Sequence, residues 1–173
     1  MTVVAIIGAG PLGRSLALHA ARAGFRVFLE DVMPGNLHHA RESIRLQLNT
    51  RALPSVTFVS TIEDAVRDAD LVIDCVPDEL ESKLEILWLV DRMAPPRTVI
   101  ATPTTNLSIA DLANCTNRPE QCVAIAATAD ELASATSQLL LRTAPRTNEQ
   151  SASLVSEFFR QLGFEVTGER VFK

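Results

Sequence analysis

The residues best placed for chemistry stand near the start of the chain, where Gly8-Ala9-Gly10-Pro11-Leu12-Gly13 follows the apolar run Val3-Val4-Ala5-Ile6-Ile7. A G-x-G-x-x-G pattern alone arises in many loops. Here a strand precedes it and a helical pattern follows, so each glycine has its own task. Gly8 permits the tight turn, Gly10 lets backbone approach a pyrophosphate, and Gly13 lets helix and strand pack closely. The amino end of the helix would then face the phosphates. The next β-branched run ends in Leu29-Glu30-Asp31, which sets Asp31 about 20 residues beyond the loop, where such a site expects an acid to bind the adenosine ribose hydroxyls. A 2′-phosphate there would meet two carboxylates, so NAD is favoured over NADP. The plainer reading is a tight turn followed by a solvated strand end.

Other reactive side chains are scattered. His19 lies in the first helical pattern and His38 and His39 in the second, which suits surface or packing roles. Cys75, Cys115 and Cys122 form no C-x-x-C pair and read as reduced packing thiols. Asp130-Glu131 is an acidic pair that could serve acid/base chemistry, but a solvated turn is the simpler reading. Trp88 falls on the polar margin of its helix, where packing is favoured over partner contact.

The elements that must position these groups alternate short β-branched runs with longer helical patterns, the signature of parallel strands joined by helical crossovers. Strands are predicted at 3–8, 26–31, 56–59, 70–76, 97–101, 121–126, 137–141 and 164–167. The first helix runs from Pro11, suited to a first turn, to Gly24, suited to a stop, with Leu12, Leu16, Ala20 and Ala23 able to face the sheet. The second, about 35–50, is followed closely by Leu53-Pro54. Thr61 is a plausible N-cap, with Glu63 and Asp64 complementing the dipole of the next helix. Residues 79–93 form an amphipathic pattern whose expected buried stripe is Leu80, Leu84, Leu87 and Val90, ended by Ala94-Pro95-Pro96. Asn148 to Leu162, closed by Gly163, is the last helix. The fold class is α/β, a Rossmann-type doubly wound, mostly parallel sheet in a single domain over residues 1–173.

With 173 residues, 47% of them apolar, one domain with a substantial core is expected. A net charge of −5 without a basic block argues against nucleic acid as a partner. Met1 leads straight into the first apolar run, and no stretch approaches the roughly 20 apolar residues that span a bilayer. The expectation is a cytoplasmic protein without membrane association.

The sequence resembles the N-terminal, NAD-binding domain of the 3-hydroxyacyl-CoA dehydrogenases over nearly the whole chain. Asp70 to Cys75, followed by Val76-Pro77-Asp78, looks like the family's segment ending in valine, proline and glutamate. Lys83 matches a family lysine that reaches the nicotinamide-side ribose. Ala94-Pro95-Pro96 with Thr98, Thr104 to Ile109, and Arg118-Pro119-Glu120 follow in the family's order. The resemblance implies NAD as cofactor, held by Gly8, Ala9, Gly10, Pro11, Leu12, Gly13, Asp31, Val76, Pro77, Asp78, Lys83 and Thr105. Thr105 stands at a family serine position, where it either touches substrate or nicotinamide or satisfies local backbone groups.

The resemblance also marks departures. The family's general-base histidine and the glutamate that orients it fall, counting without gaps from Arg118-Pro119-Glu120, on Ala126 and Gln138. A methyl group takes no proton, and glutamine carries no charge to hold an imidazolium. Ala129 stands where the family has asparagine. The acyl-CoA arm after the second strand is expected to be deleted at Leu53-Pro54 and the family's C-terminal helical domain to be absent, which would leave apolar surface for a homodimer or another protein. Three readings follow. One is an NAD-binding protein without the family's dehydrogenase activity. Another is an active NAD-dependent oxidoreductase on a different substrate, or one completed by a partner chain. A third is an interaction module that binds no nucleotide, against which the glycines argue because they cost helix and strand stability.

Overall fold

The computed structural model describes residues 1–48, 55–134 and 138–171. Among the described residues eight strands form one sheet: β1 (Val3–Ile7), β2 (Arg26–Glu30), β3 (Val56–Val59), β4 (Leu71–Asp74), β5 (Val99–Pro103), β6 (Cys122–Ala126), β7 (Gln138–Thr143) and β8 (Glu165–Arg170), in the order β3-β2-β1-β4-β5-β6-β7-β8. The first six run parallel, β7 is antiparallel to β6, and β8 is parallel to β7. The order reverses between β1 and β4, so a crevice opens outside the carboxyl ends of these strands, where doubly wound sheets bind ligands. The expected doubly wound α/β fold is the one observed.

The helices are α1 (Pro11–Arg22), α2 (Pro34–Gln47), α3 (Ile62–Val66), α4 (Leu80–Met93), α5 (Ile109–Asn114), α6 (Ala129–Ser134) and α7 (Glu149–Gln161). They cover both faces of the sheet. One core packs α1, α2 and α7 on Val4, Ile6, Val27, Leu29 and Ile73. The other packs α3, α4 and α5 on Ala5, Ile7, Val72 and Ile100. The alternation along each strand explains the division, since successive side chains point to opposite faces.

Local signals set most boundaries. Pro11 and Pro34 open their helices, where the missing N–H has no intrahelical partner to lose. Thr61, Ser108 and Asn148 cap α3, α5 and α7 through side-chain acceptors. Gly24 and Gly163 close α1 and α7 with φ of 90° and 99°, a left-handed conformation that a side chain disfavours. Ala23 is exposed at the end of α1 rather than facing the sheet. The expected end of the second helix and the turn at Leu53-Pro54 lie outside the described residues.

Three expectations need correction. The strand expected at 97–101 runs Val99–Pro103, because the Thr98 N–H turns back to the Pro95 carbonyl and its hydroxyl to that of Ala69. The buried stripe of α4 is Lys83, Leu87, Val90 and Asp91, while Leu80 is 50% exposed. The helix is rotated by two buried ion pairs, Lys83 with Asp74 and Arg118 with Asp91, which outweigh the apolar pattern. Finally, α6 was not expected. Thr128 and Glu131 form its capping box: the Glu131 N–H donates to the Thr128 hydroxyl and the Thr128 N–H to the Glu131 carboxylate. That network holds the exposed Glu131 carboxyl below its usual range.

Candidate functional site

The β1–α1 loop is anchored from both sides. The Gly8 N–H donates to the Glu30 carbonyl at 2.8 Å, and the Cys75 N–H donates to the Ile7 carbonyl at 2.8 Å. Gly8 has φ of 102°, and a Cβ there would press on the Cys75 carbonyl. A Cβ at Gly13 would collide with the carbonyl oxygen of Gly8, whereas one at Gly10 would meet nothing within 4 Å. Gly8 and Gly13 are therefore demanded by the fold. Gly10, in an ordinary extended conformation as the N-cap of α1, is demanded only by something that would fill the space beside it.

No side chain caps α1 at Gly10, so the first-turn N–H groups remain for an anion. Asp31 ties this loop to the end of β2. Its Oδ2 accepts from the Ala9 N–H at 2.9 Å and from Asn36 Nδ2 at 3.0 Å, and its Oδ1 accepts from the Met33 N–H at 2.8 Å. A carboxylate offers about four acceptor positions, so one remains for a hydroxyl.

A cleft of ≈ 680 Å³ runs across this edge of the sheet. Gly8, Gly10, Pro11, Leu12 and Asp31 line one half; Val76, Pro77, Asp78 and Thr105 line the other. Nine of the residues expected from the sequence thus meet in one cavity. Ala9 and Gly13 act from behind it, Ala9 through its N–H and Gly13 through packing. Lys83 is the exception and lies outside the lining: its side chain is 0% exposed, and Nζ donates to Asp74 Oδ2 at 3.1 Å and to the Val76 carbonyl at 3.5 Å.

Sequence reasoning missed Asn36, Cys75, Pro103, Asn106, Ala127 and Thr128 in the lining, which Asp130, singled out in the sequence for its charge, also joins. Their common signal is position, since each lies on or just beyond the carboxyl end of a strand, or at the head of the helix that follows. Asp78 Oδ2 accepts the Thr105 N–H at 3.0 Å, so the loops after β4 and β5 are clipped together. Burial, with the neighbouring Asp74 carboxylate, pushes the Cys75 thiol far up, which leaves it neutral and unsuited to nucleophilic work.

Ala126 ends β6 and pairs with Leu140 across to β7, two residues from Gln138. Gln138 thus stands diagonally offset from Ala126 at the same end of the β6–β7 pair, and a methyl group and an amide occupy these two positions. Of the histidines, His38 and His39 are exposed on α2, and His19 bonds to the Ser15 carbonyl within α1. Among the described residues no group of histidines, cysteines and carboxylates could hold a metal ion.

Residues 3–165 match the family model of the 3-hydroxyacyl-CoA dehydrogenase NAD binding domain. The chain belongs to this family. NAD is accordingly its cofactor, and the cleft fits it through the free helix end, the open space at Gly10 and the Asp31 acceptor. Among curated relatives, the chain is 30% identical to a probable 3-hydroxybutyryl-CoA dehydrogenase of Bacillus subtilis over 69% of its own length and 46% of the relative's. It is 35% identical to an L-carnitine dehydrogenase of Oceanobacillus iheyensis over 71% of its length and 43% of the relative's. The chain thus spans less than half of these relatives. Among solved structures, the 3-hydroxyacyl-CoA dehydrogenase of Archaeoglobus fulgidus superposes with a TM-score of 0.84 at 26% identity, covering 100% of this chain and 58% of that one.

Among the described residues no helix is long and apolar enough to cross a membrane, and the three cysteines are free thiols.

Proposed function

We propose that this chain binds NAD(H) without itself oxidising 3-hydroxyacyl-CoA. The observation that carries the reading is the pair Ala126, which ends β6, and Gln138, which opens β7 two residues from the Ala126 partner Leu140, where the family's base and its orienting acid would stand. The nicotinamide ring supplies hydride chemistry when bound. No side chain of this chain at the base position takes the hydroxyl proton that must leave with it. The cofactor half is built and preorganised; the proton-handling half is not.

The test is a titration with NADH together with a 3-hydroxybutyryl-CoA oxidation assay on the same sample. Micromolar-range binding of NADH with no turnover is expected, and turnover abolished by Asp31→Ala would sink the reading.

A second reading is favoured by Asp130, which lines the cleft just beyond β6. In it, the chain is an oxidoreductase on a different small substrate, alone or completed by another chain, with Asp130 or Thr105 recruited to the proton. A panel of hydroxy acids with NAD, followed at the absorbance of the reduced cofactor, decides between the two. We place the protein in the cytosol on the strength of its free thiols. We also assign it a homodimer or other protein partner, which light scattering at high concentration tests.

A further inference from the structure

Under the nicotinamide end of the cleft lies a polar cluster sealed inside an apolar layer. Asp74 ends β4 fully buried and sits among one cation and two neutral donors. Its Oδ2 accepts from Lys83 Nζ of α4 at 3.1 Å and from the Thr102 hydroxyl of β5 at 2.9 Å, and its Oδ1 accepts from the Val76 N–H at 3.1 Å. Lys83 Nζ also reaches the Val76 carbonyl at 3.5 Å. Val76 is thus held at both its N–H and its carbonyl, and it opens the segment Val76-Pro77-Asp78 that walls the cleft and, through Asp78, clips the loop carrying Thr105.

An apolar group would fill the same space under α4 without the cost of removing two charges from water. A buried pair whose other hydrogen bonds all run to one cleft-lining residue and one neighbouring strand points instead to fixing geometry. Resting on the NAD-binding reading, we infer that Lys83, Asp74 and Thr102 form a positioning device for the nicotinamide half of the cofactor, with Lys83 acting through Asp74 and Val76 rather than by touching the ribose. The adenosine half does not depend on it, because Gly8, Ala9 and Asp31 are tied together by their own bonds between β1 and β2.

That separation gives a test in which ADP reports on one half and NADH on both. In the full chain carrying Lys83→Met with Asp74→Asn, which removes both charges together, NADH affinity is expected to fall about tenfold while ADP affinity stays within about twofold of the parent. The emission of bound NADH should also approach that of the free cofactor, as the ring loses its fixed setting. Thr102→Val keeps the ion pair and so guards against a double variant that does not fold; it should weaken NADH alone, by about threefold. Equal losses for ADP and NADH, or none for NADH, would overturn the inference. NADH binding that is unchanged or tighter in Thr102→Val would also overturn it, since a lysine released to reach the ribose gives that result. Failure of the parent chain to bind NADH at all would overturn the NAD reading and this inference together, whereas tight parent binding with unselective losses overturns this inference alone.

Discussion

Two carboxylates end strands on either side of Ile7 in the same row of the sheet, Glu30 on β2 and Asp74 on β4. Both are buried, yet their surroundings differ. Asp74 is matched by an ammonium, a hydroxyl and a backbone N–H; burial still holds its carboxyl above the usual range, with Lys83 and these donors offsetting only part of the rise. Glu30 has no such company. Its Oε1 is buried with no hydrogen-bond partner, and burial, followed by the adjacent Asp31 charge, pushes its carboxyl up to about 7. The pair teaches that burial alone does not fix what a carboxylate does. A buried carboxylate with matched donors is fixed in place by them; one without keeps an unpaired oxygen inside the protein.

The largest way to break the comparison is to remove one partner of the matched pair. Asp74→Asn alone leaves Lys83 as an uncompensated buried cation and should cost about 3–5 kcal/mol in urea unfolding, with much of it regained when Lys83→Met is added. Gly13→Ala, which drives a Cβ into the Gly8 carbonyl, should cost about 3 kcal/mol, at the upper end for overpacking, and should show as a lowered midpoint in thermal melting.

Glu30 gives the opposite sign. Its native-state pKa of about 7 lies above the ordinary 4.5, so the native chain holds a proton that the unfolded chain releases between these values. Stability is then full below about pH 4.5, falls as pH rises, and is lost once pH passes about 7. Glu30→Gln should flatten that slope and, by about 2 kcal/mol, be the more stable protein at pH 8. Urea unfolding at pH 5 and pH 8 checks this; a parallel pH dependence in parent and variant would refute the assignment.

Smaller effects sharpen the contrast between the two ends of the cleft. Gly10→Ala should leave melting nearly unchanged, because its Cβ meets nothing, yet reduce ADP and NADH affinity alike by about tenfold, roughly 1.4 kcal/mol. Asp78→Ala breaks only an exposed clip to Thr105 and should weaken NADH a few-fold, in keeping with about 0.5–1 kcal/mol for such a bond, with ADP unaffected.

The two ends were also unequally legible in the sequence. The adenosine end is written locally: a strand, a glycine loop and an acid at a fixed distance, each recognisable by residue type and spacing. The nicotinamide end depends on side chains from β4, β5 and α4 that meet only after folding. Lys83 drew attention through the resemblance, but its burial was not legible, because a lysine among leucines reads as the polar edge of a helix until a buried acid claims it. The same blindness mis-set the face of α4 through Leu80. Helix α6 is a different case, since Thr128 and Glu131 stand at capping-box spacing and were readable. Asp130 beside Glu131 drew attention as an acidic pair, and only the structure separates them, placing Glu131 in a cap and Asp130 in the cleft.

The bond from the Ala9 N–H to Asp31 has a kinetic consequence. The phosphate loop and the ribose acceptor are locked to each other before any ligand arrives, so association has no loop to order and pays no entropy for doing so. Encounter should proceed at the ordinary rate for a rigid site, and differences among adenine nucleotides should appear in how long each stays bound rather than in how fast it arrives.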